Sequence, residues 1–170
     1  ILNLILFLKE SNREWSIMVT YKTGNLLTAK GLILHATNAE GAWGAGIALN
    51  LKSRFPKSYI EYQYWCEKFS YDLVGSYIKL QPEYDNQIIC LFTSGTYGAR
   101  LPSMEIILAN THKAITALLS SMPYNSTINS NMFNSGLFKV PWDKTEAVIN
   151  NCLKARSDIQ WVVYQPKGRK

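Results

Sequence analysis

Histidine is nearly missing from this chain. Its 170 residues hold only His35 and His112, and three cysteines, Cys66, Cys90 and Cys152, set far apart. An odd cysteine count with no C-x-x-C spacing argues against a disulfide framework and a zinc site, and points to a reducing intracellular compartment, cytoplasmic or nuclear. The apolar stretch at residues 1–8 is too short to span a bilayer and lacks the basic start and cleavage site of a signal peptide, so no membrane partner is expected. G-x-x-x-x-G-K-[ST], G-x-S-x-G and H-E-x-x-H are all absent, which argues against a P-loop nucleotidase, a serine-elbow hydrolase and a zinc protease. No carboxylate cluster suggests a metal, and neither metal nor cofactor is expected. Acidic residues are the scarcer charged class, 12 against 18 lysines and arginines, giving a net charge of +6. That excess fits an anionic ligand; nucleic acid is an unlikely partner, since no motif speaks for it. The one dense basic run, residues 166–170 with Lys167, Arg169 and Lys170, reads as a solvated tail.

What is present is a strand–helix alternation within the length of one domain. Apolar runs at 17–21, 31–36, 75–81, 87–93, 127–134 and 159–164 read as strands, the second continuous enough to be buried on both faces. Helices are expected at 47–55, stopped by Pro56, at 57–69, at 103–119 with Ser103 as N-cap, and through Leu153 behind a capping box of Asp143 and Glu146. The alternation predicts an α/β fold with a mainly parallel sheet. Residues 1–17 stand outside this pattern as an N-terminal extension of undecided role: an extra edge strand, a remnant, or the end of something longer.

The strand at 31–36 runs straight into Thr37-Asn38-Ala39-Glu40-Gly41-Ala42-Trp43-Gly44-Ala45-Gly46 and then a helix. Glycines let backbone N–H groups approach a ligand, and a helix N-terminus adds unpaired donors and partial positive charge, so the junction is a ready anion site. Two more small-residue turns follow strands, Thr93-Ser94-Gly95-Thr96-Tyr97-Gly98 and Asn134-Ser135-Gly136-Leu137-Phe138. In a parallel sheet all three lie at the carboxyl edge, where open α/β sheets bind ligands, and they suit an extended ligand with more than one phosphate. His35 sits at the mouth of its strand, three residues before Asn38, and is either a chemical group or a core histidine bonded to backbone. Trp43 either stacks on a sugar or base or covers the sheet edge; Phe138 and Tyr97 share that ambiguity. His112, inside a long helix, reads as a surface or packing residue.

Three segments together resemble a macrodomain of the fungal ADP-ribose 1''-phosphate phosphatase kind: Lys22-Thr23-Gly24-Asn25-Leu26-Leu27, the His35-to-Gly46 loop with H-x-x-N-x-x-G-x-W-G-x-G-I-A, and Asn134-Ser135-Gly136-Leu137-Phe138-Lys139-Val140-Pro141-Trp142 with N-S-G-x-F-x-V-P-W. The resemblance covers residues 18–165. It implies a three-layer α/β/α sandwich with a mostly parallel mixed sheet, binding ADP-ribose at the sheet edge. It places Gly24 and Asn25 near the adenine, where many macrodomains carry an aspartate that accepts from the adenine amino group; asparagine can accept through its carbonyl. Asn38 would face the distal ribose. Trp43, Gly44, Ala45, Gly46 and Ile47 would line one side of the diphosphate, and Asn134, Ser135, Gly136, Leu137 and Phe138 the other. His35, with Asn38, would carry the catalysis.

The reaction so implied is hydrolysis of ADP-ribose 1''-phosphate, a by-product of tRNA splicing, to ADP-ribose and phosphate. His35 could attack phosphorus, protonate the leaving oxygen or activate water, and the sequence leaves all three open. A non-catalytic ADP-ribose reader and a deacylase for ADP-ribose esters are the alternatives. Macrodomains that cleave ADP-ribose from glutamate use a lysine and an aspartate near loops matching 94–98 and 136–139; Ser94, Gly95 and Phe138 stand there, which disfavours that chemistry. Oligomeric state is not legible.

Overall fold

The computed structural model describes residues 18–168. The expected extension 1–17, the first residue of the expected strand 17–21, and Arg169 and Lys170 lie outside the described residues. Ten main elements follow in order: β1 Thr20–Thr23, β2 Gly31–Thr37, α1 Gly46–Arg54, α2 Pro56–Phe69, β3 Tyr77–Lys79, β4 Asn86–Phe92, α3 Met104–Ser121, β5 Thr127–Ser130, α4 Trp142–Leu153 and β6 Gln160–Gln165. They build one six-stranded sheet in the order β1-β6-β5-β2-β4-β3. Every neighbouring pair is parallel except β3 against β4. The expected α/β class with a mainly parallel sheet is what forms. Among the described residues no helix is long and apolar enough to cross a membrane.

Helices cover both faces. On one, Leu34, Ile89 and Leu91 pack against Ala114, Ile115 and Leu118 of α3 and Ile149 and Leu153 of α4. On the other, Ile33, Ile88 and Cys90 pack under Leu51 of α1 and Tyr62 and Cys66 of α2. Successive strand side chains point to opposite faces, so β2 gives Leu34 to the first layer and Ile33 to the second. Its pairing sets His35 opposite Cys90 and Leu34 opposite Ile89.

Local chemistry sets the boundaries. Pro56 opens α2, where its missing N–H costs nothing. Glu83, buried, reaches the same end: its carboxylate accepts from Ser58 N–H and Ser58 Oγ at 3.0 Å each and from Lys57 N–H at 3.4 Å. Ser103 caps α3, its Oγ accepting from Ile106 N–H. Two expectations are corrected. The capping box does not form: α4 starts at Trp142 with Pro141 at the cap, and Glu146 instead accepts from the Tyr21 hydroxyl at 2.6 Å, tying β1 to α4. The strand expected at 127–134 ends at Ser130, because the chain turns away and Asn134 takes a left-handed conformation, φ +64°.

Candidate active site

β5, β2 and β4 are adjacent and parallel, so the segments that follow them, beginning at residues 131, 38 and 93, emerge at one edge of the sheet. The loop after β2 is organised by Asn38. Its Oδ1 accepts from the N–H groups of Glu40, 3.0 Å, and Ala42, 3.3 Å, while its Nδ2 donates to the Ala42 carbonyl at 2.8 Å. The Tyr62 hydroxyl braces the turn from α2, 2.8 Å from the Asn38 carbonyl oxygen. Trp43 then dives inward. It is 1% exposed, stacks on Tyr62 with ring centroids 4.8 Å apart, and donates through Nε1 to Thr37 Oγ1 at 3.0 Å. Of its two readings, packing is the one the structure shows.

With Trp43 pinned, Gly44, Ala45 and Gly46 remain at the surface leading into α1. Gly46 has φ +56°, a conformation that suits glycine. The first helical hydrogen bond runs from Leu49 N–H to the Ala45 carbonyl, so the N–H groups of Gly46, Ile47 and Ala48 precede it, the unpaired donors of a helix N-terminus. No residue of α1's first turn is acidic.

The loop after β5 faces this terminus. Asn134 staples it: Oδ1 accepts from the Thr93 hydroxyl at 2.8 Å, and Nδ2 donates to Thr111 Oγ1 at 3.0 Å and Thr145 Oγ1 at 3.4 Å. Val140 N–H donates to the Asn134 carbonyl and Lys139 N–H to that of Gly136, which closes the turn and leaves Ser135 to Leu137 exposed. The Ser135 hydroxyl donates to the Met132 carbonyl.

Between the two loops runs a divided cleft. A smaller cavity, about 430 Å³, is walled by Gly44, Ala45, Gly46 and Ile47 on one side and Asn134, Gly136, Leu137 and Phe138 on the other, with Tyr97 contributed by the loop after β4. A larger one, about 1070 Å³, is walled by Gly24, Asn25 and Leu26 after β1, Ser135 and Gly136, Tyr164 near the end of β6, and Pro166 and Lys167 after it. Ile47, Asn131, Met132 and Gly136 line both and form the waist. No aspartate or glutamate lines either cavity, and no group of three or more potential metal ligands exists among the described residues. Glu40, below the rim, is held by Arg100 through two hydrogen bonds of 2.6 and 2.8 Å, and Ala39 N–H donates to the Gly95 carbonyl, so the loops after β2 and β4 are bound together.

The residues expected to bind are thus brought to one cleft, apart from Trp43. The two expected to catalyse are not among its lining side chains. Asn38 is spent folding its loop. His35 is fully buried on the α1–α2 side of the sheet, edge-on to Trp43 at 4.7 Å and with Nε2 4.0 Å from Cys90 Sγ. Burial pushes its pKa down to about 3, against a smaller opposing effect of an Ala36 backbone hydrogen bond. Among the described residues no group makes a well-formed hydrogen bond to Nδ1, the Ala36 backbone contact being a weak one, and the ring is neutral at physiological pH. Sequence reasoning missed Asn131 and Met132 at the waist and Asn50 in the larger cavity. Asn131 was hidden inside the strand expected at 127–134, and nothing in its neighbours distinguishes it.

No protein-family model matches the chain. It is 32% identical over 177 residues to the ADP-ribose 1''-phosphate phosphatase of Saccharomyces cerevisiae, an alignment covering 86% of this chain and 98% of that one. It is 36% identical over 149 residues to the protein of the same name from Lodderomyces elongisporus, covering 78% and 91%. In architecture it is similar to the macrodomain of Mycobacterium tuberculosis DarG, with a TM-score of 0.74 and 22% identity over 88% of this chain and 99% of that one.

Proposed function

The chain belongs to the ADP-ribose 1''-phosphate phosphatase family, with a macrodomain fold, and from that premise we propose that it hydrolyses ADP-ribose 1''-phosphate to ADP-ribose and inorganic phosphate. The observation that carries the reading is the opposition of two backbone-rich loops across a cleft divided at Ile47 and Gly136. A nucleobase, planar and with apolar faces, suits the larger cavity with Leu26, Met132 and Tyr164. The diphosphate then crosses the waist over the N-terminus of α1, where N–H donors and the helix dipole favour anions. The distal ribose and its phosphate fall between residues 44–47 and 136–138.

In the reaction water oxygen bonds to phosphorus, the bond from phosphorus to the sugar oxygen breaks, and the sugar oxygen takes up a proton. Tyr97 is the one ionisable side chain among the described residues that line the smaller cavity, so the chain contributes chiefly by fixing the phosphate and by aiming N–H donors at charge that builds on its oxygens. His35 and Asn38 act here as positioning residues: Asn38 shapes residues 38–42, and His35 supports Trp43, which fixes where Gly44 begins. The link to tRNA-splicing metabolism rests on the resemblance alone.

The test is phosphate release from ADP-ribose 1''-phosphate beside calorimetric binding of ADP-ribose. Release with saturable binding is expected. Tight binding without release would establish the second reading, a non-catalytic ADP-ribose reader, which the lack of carboxylate or imidazole in the cleft favours.

A further inference from the structure

We infer that Asn131 is a ligand-binding residue of this chain, its carboxamide donating a hydrogen bond to the diphosphate at the waist of the cleft. This rests on the path of the diphosphate across the waist proposed above.

Of the four residues that line both cavities, Asn131 alone has a polar side chain; the others are Ile47, Met132 and Gly136. It follows directly on β5 and is half-buried. The buried asparagines are all occupied by the fold. Asn38 and Asn134 shape their own loops, as described above. Asn129 donates through Nδ2 to the carbonyls of Lys30 and Leu32, at 3.3 and 3.0 Å. Asn86 donates to those of Ala29 and Gly31, at 2.8 and 3.2 Å. Asn131 differs: among the described residues no hydrogen bond holds its carboxamide, and Oδ1 is shut off from solvent without a partner. An unpaired buried polar atom costs stability, and such atoms are few in folded proteins. Folding therefore gives no reason for an amide here, and a ligand does.

The chemistry of the waist selects the part of the ligand that is met. With Oδ1 shut off, the amide meets a ligand through Nδ2, which can only donate. Ile47, at the same waist, brings a second donor, since its N–H precedes the first helical hydrogen bond of α1. No carboxylate lines either cavity to compete for them. A diphosphate has acceptors only, and they are ionised. Hydrogen bonds to an ionised acceptor are roughly twice as strong as neutral ones.

The experiment compares the wild-type chain with Asn131→Leu, Asn131→Ala and Asn131→Asp. It measures ADP-ribose binding by calorimetry, phosphate release from ADP-ribose 1''-phosphate, and thermal unfolding. Leucine has nearly the shape of asparagine without its polar atoms, and alanine needs no room at all. Both should unfold close to wild type, since the amide they remove has no partner in the fold. Both should bind ADP-ribose roughly tenfold more weakly, the scale of one hydrogen bond to a charged group. In phosphate release KM should rise by the same factor with kcat within about threefold, because the diphosphate is held alike before and during the reaction. Asn131→Asp sets a negative charge against the diphosphate and should lose more, roughly a hundredfold. Apolar variants that bind within about twofold of wild type overturn the assignment. So does Asn131→Asp binding as tightly as wild type, which would put a ribose hydroxyl and not the diphosphate against the amide. So do two apolar variants that both unfold more than about 5 °C early, which would give the amide to the fold. Any of these beside a wild type that binds ADP-ribose and releases phosphate leaves the proposed function standing. A wild type that binds no ADP-ribose overturns both.

Discussion

Replacing Asn134 by alanine tests whether the smaller cavity is held in shape by one side chain. The substitution removes three hydrogen bonds, to Thr93, Thr111 and Thr145. At about 1 kcal/mol net for each well-formed bond, and less for the 3.4 Å one, the loss is about 2 to 3 kcal/mol. Thr111 cannot compensate freely, since its hydroxyl proton is committed to the Ile107 carbonyl at 2.7 Å. Asn134 also holds φ +64°, where alanine costs about 1 kcal/mol more. Asn134→Ala should therefore destabilise by about 3 to 4 kcal/mol, a large share of a domain's stability. Asn134→Gly loses the same bonds without the strain and should recover about 1 kcal/mol of that. Urea unfolding followed by tryptophan fluorescence gives both numbers, and calorimetry with ADP-ribose should show affinity falling by roughly tenfold or more as the wall at 134–138 loosens. An alanine variant within about 0.5 kcal/mol of wild type, or alanine and glycine variants that cannot be told apart, would refute the staple.

The remaining predictions concern groups behind the site. His35 has its pKa lowered to about 3 from 6.5, so below pH 6.5 the unfolded chain binds a proton that the folded chain refuses. Its contribution to stability is whole above pH 6.5 and is lost as pH falls toward 3, with a slope approaching about 1.4 kcal/mol per pH unit; unfolding midpoints of wild type and His35→Phe against pH should diverge in that sense, and parallel curves would refute it. The same variant should keep phosphate release within about threefold if His35 only supports Trp43, whereas a chemical role would cost on the order of 10²–10⁴. Glu83→Ala strips the N-terminus of α2 of its carboxylate and should cost about 2 kcal/mol in urea unfolding. Phosphate release should persist in excess chelator; a loss reversed by added divalent metal would contradict the metal-free reading.

Much of the frame was legible because it rests on local rules. The continuous apolar run before Thr37 had to be a strand covered on both faces, and the helix following Gly46 had to start there, since Gly44, Ala45 and Gly46 offer no side chain to hold the chain elsewhere. The three small-residue turns could be placed at one edge from the parallel alternation alone. What stayed hidden depends on rotation about the strand axis and on distant partners. His35 and Ala36 are neighbours in sequence, yet only Ala36 lines the cleft; the period of two sends the histidine to the opposite face. Asn38 was placed at the distal ribose by the resemblance; its side chain bonds Glu40 and Ala42 of its own loop, and no pattern in the sequence announced those contacts. Asn131 could not be separated from Asn129 and Asn134, since the end of β5 is set by the left-handed turn at Asn134 rather than by any change in local propensity.

The pairing of β1 with β6 has a consequence for the order in which the cleft comes into being. Thr20 sits beside Val162, and Gly24 N–H donates to the Gln165 carbonyl at 2.7 Å. The walls of the smaller cavity, by contrast, come from residues 36–48, 97 and 131–138. The larger cavity thus draws one wall from the segment after the first strand and another, Tyr164, Pro166 and Lys167, from the end of the last strand and the residues after it. Contacts between such distant segments close late and slowly in folding, so the larger cavity is expected to be the last part of the cleft to take shape.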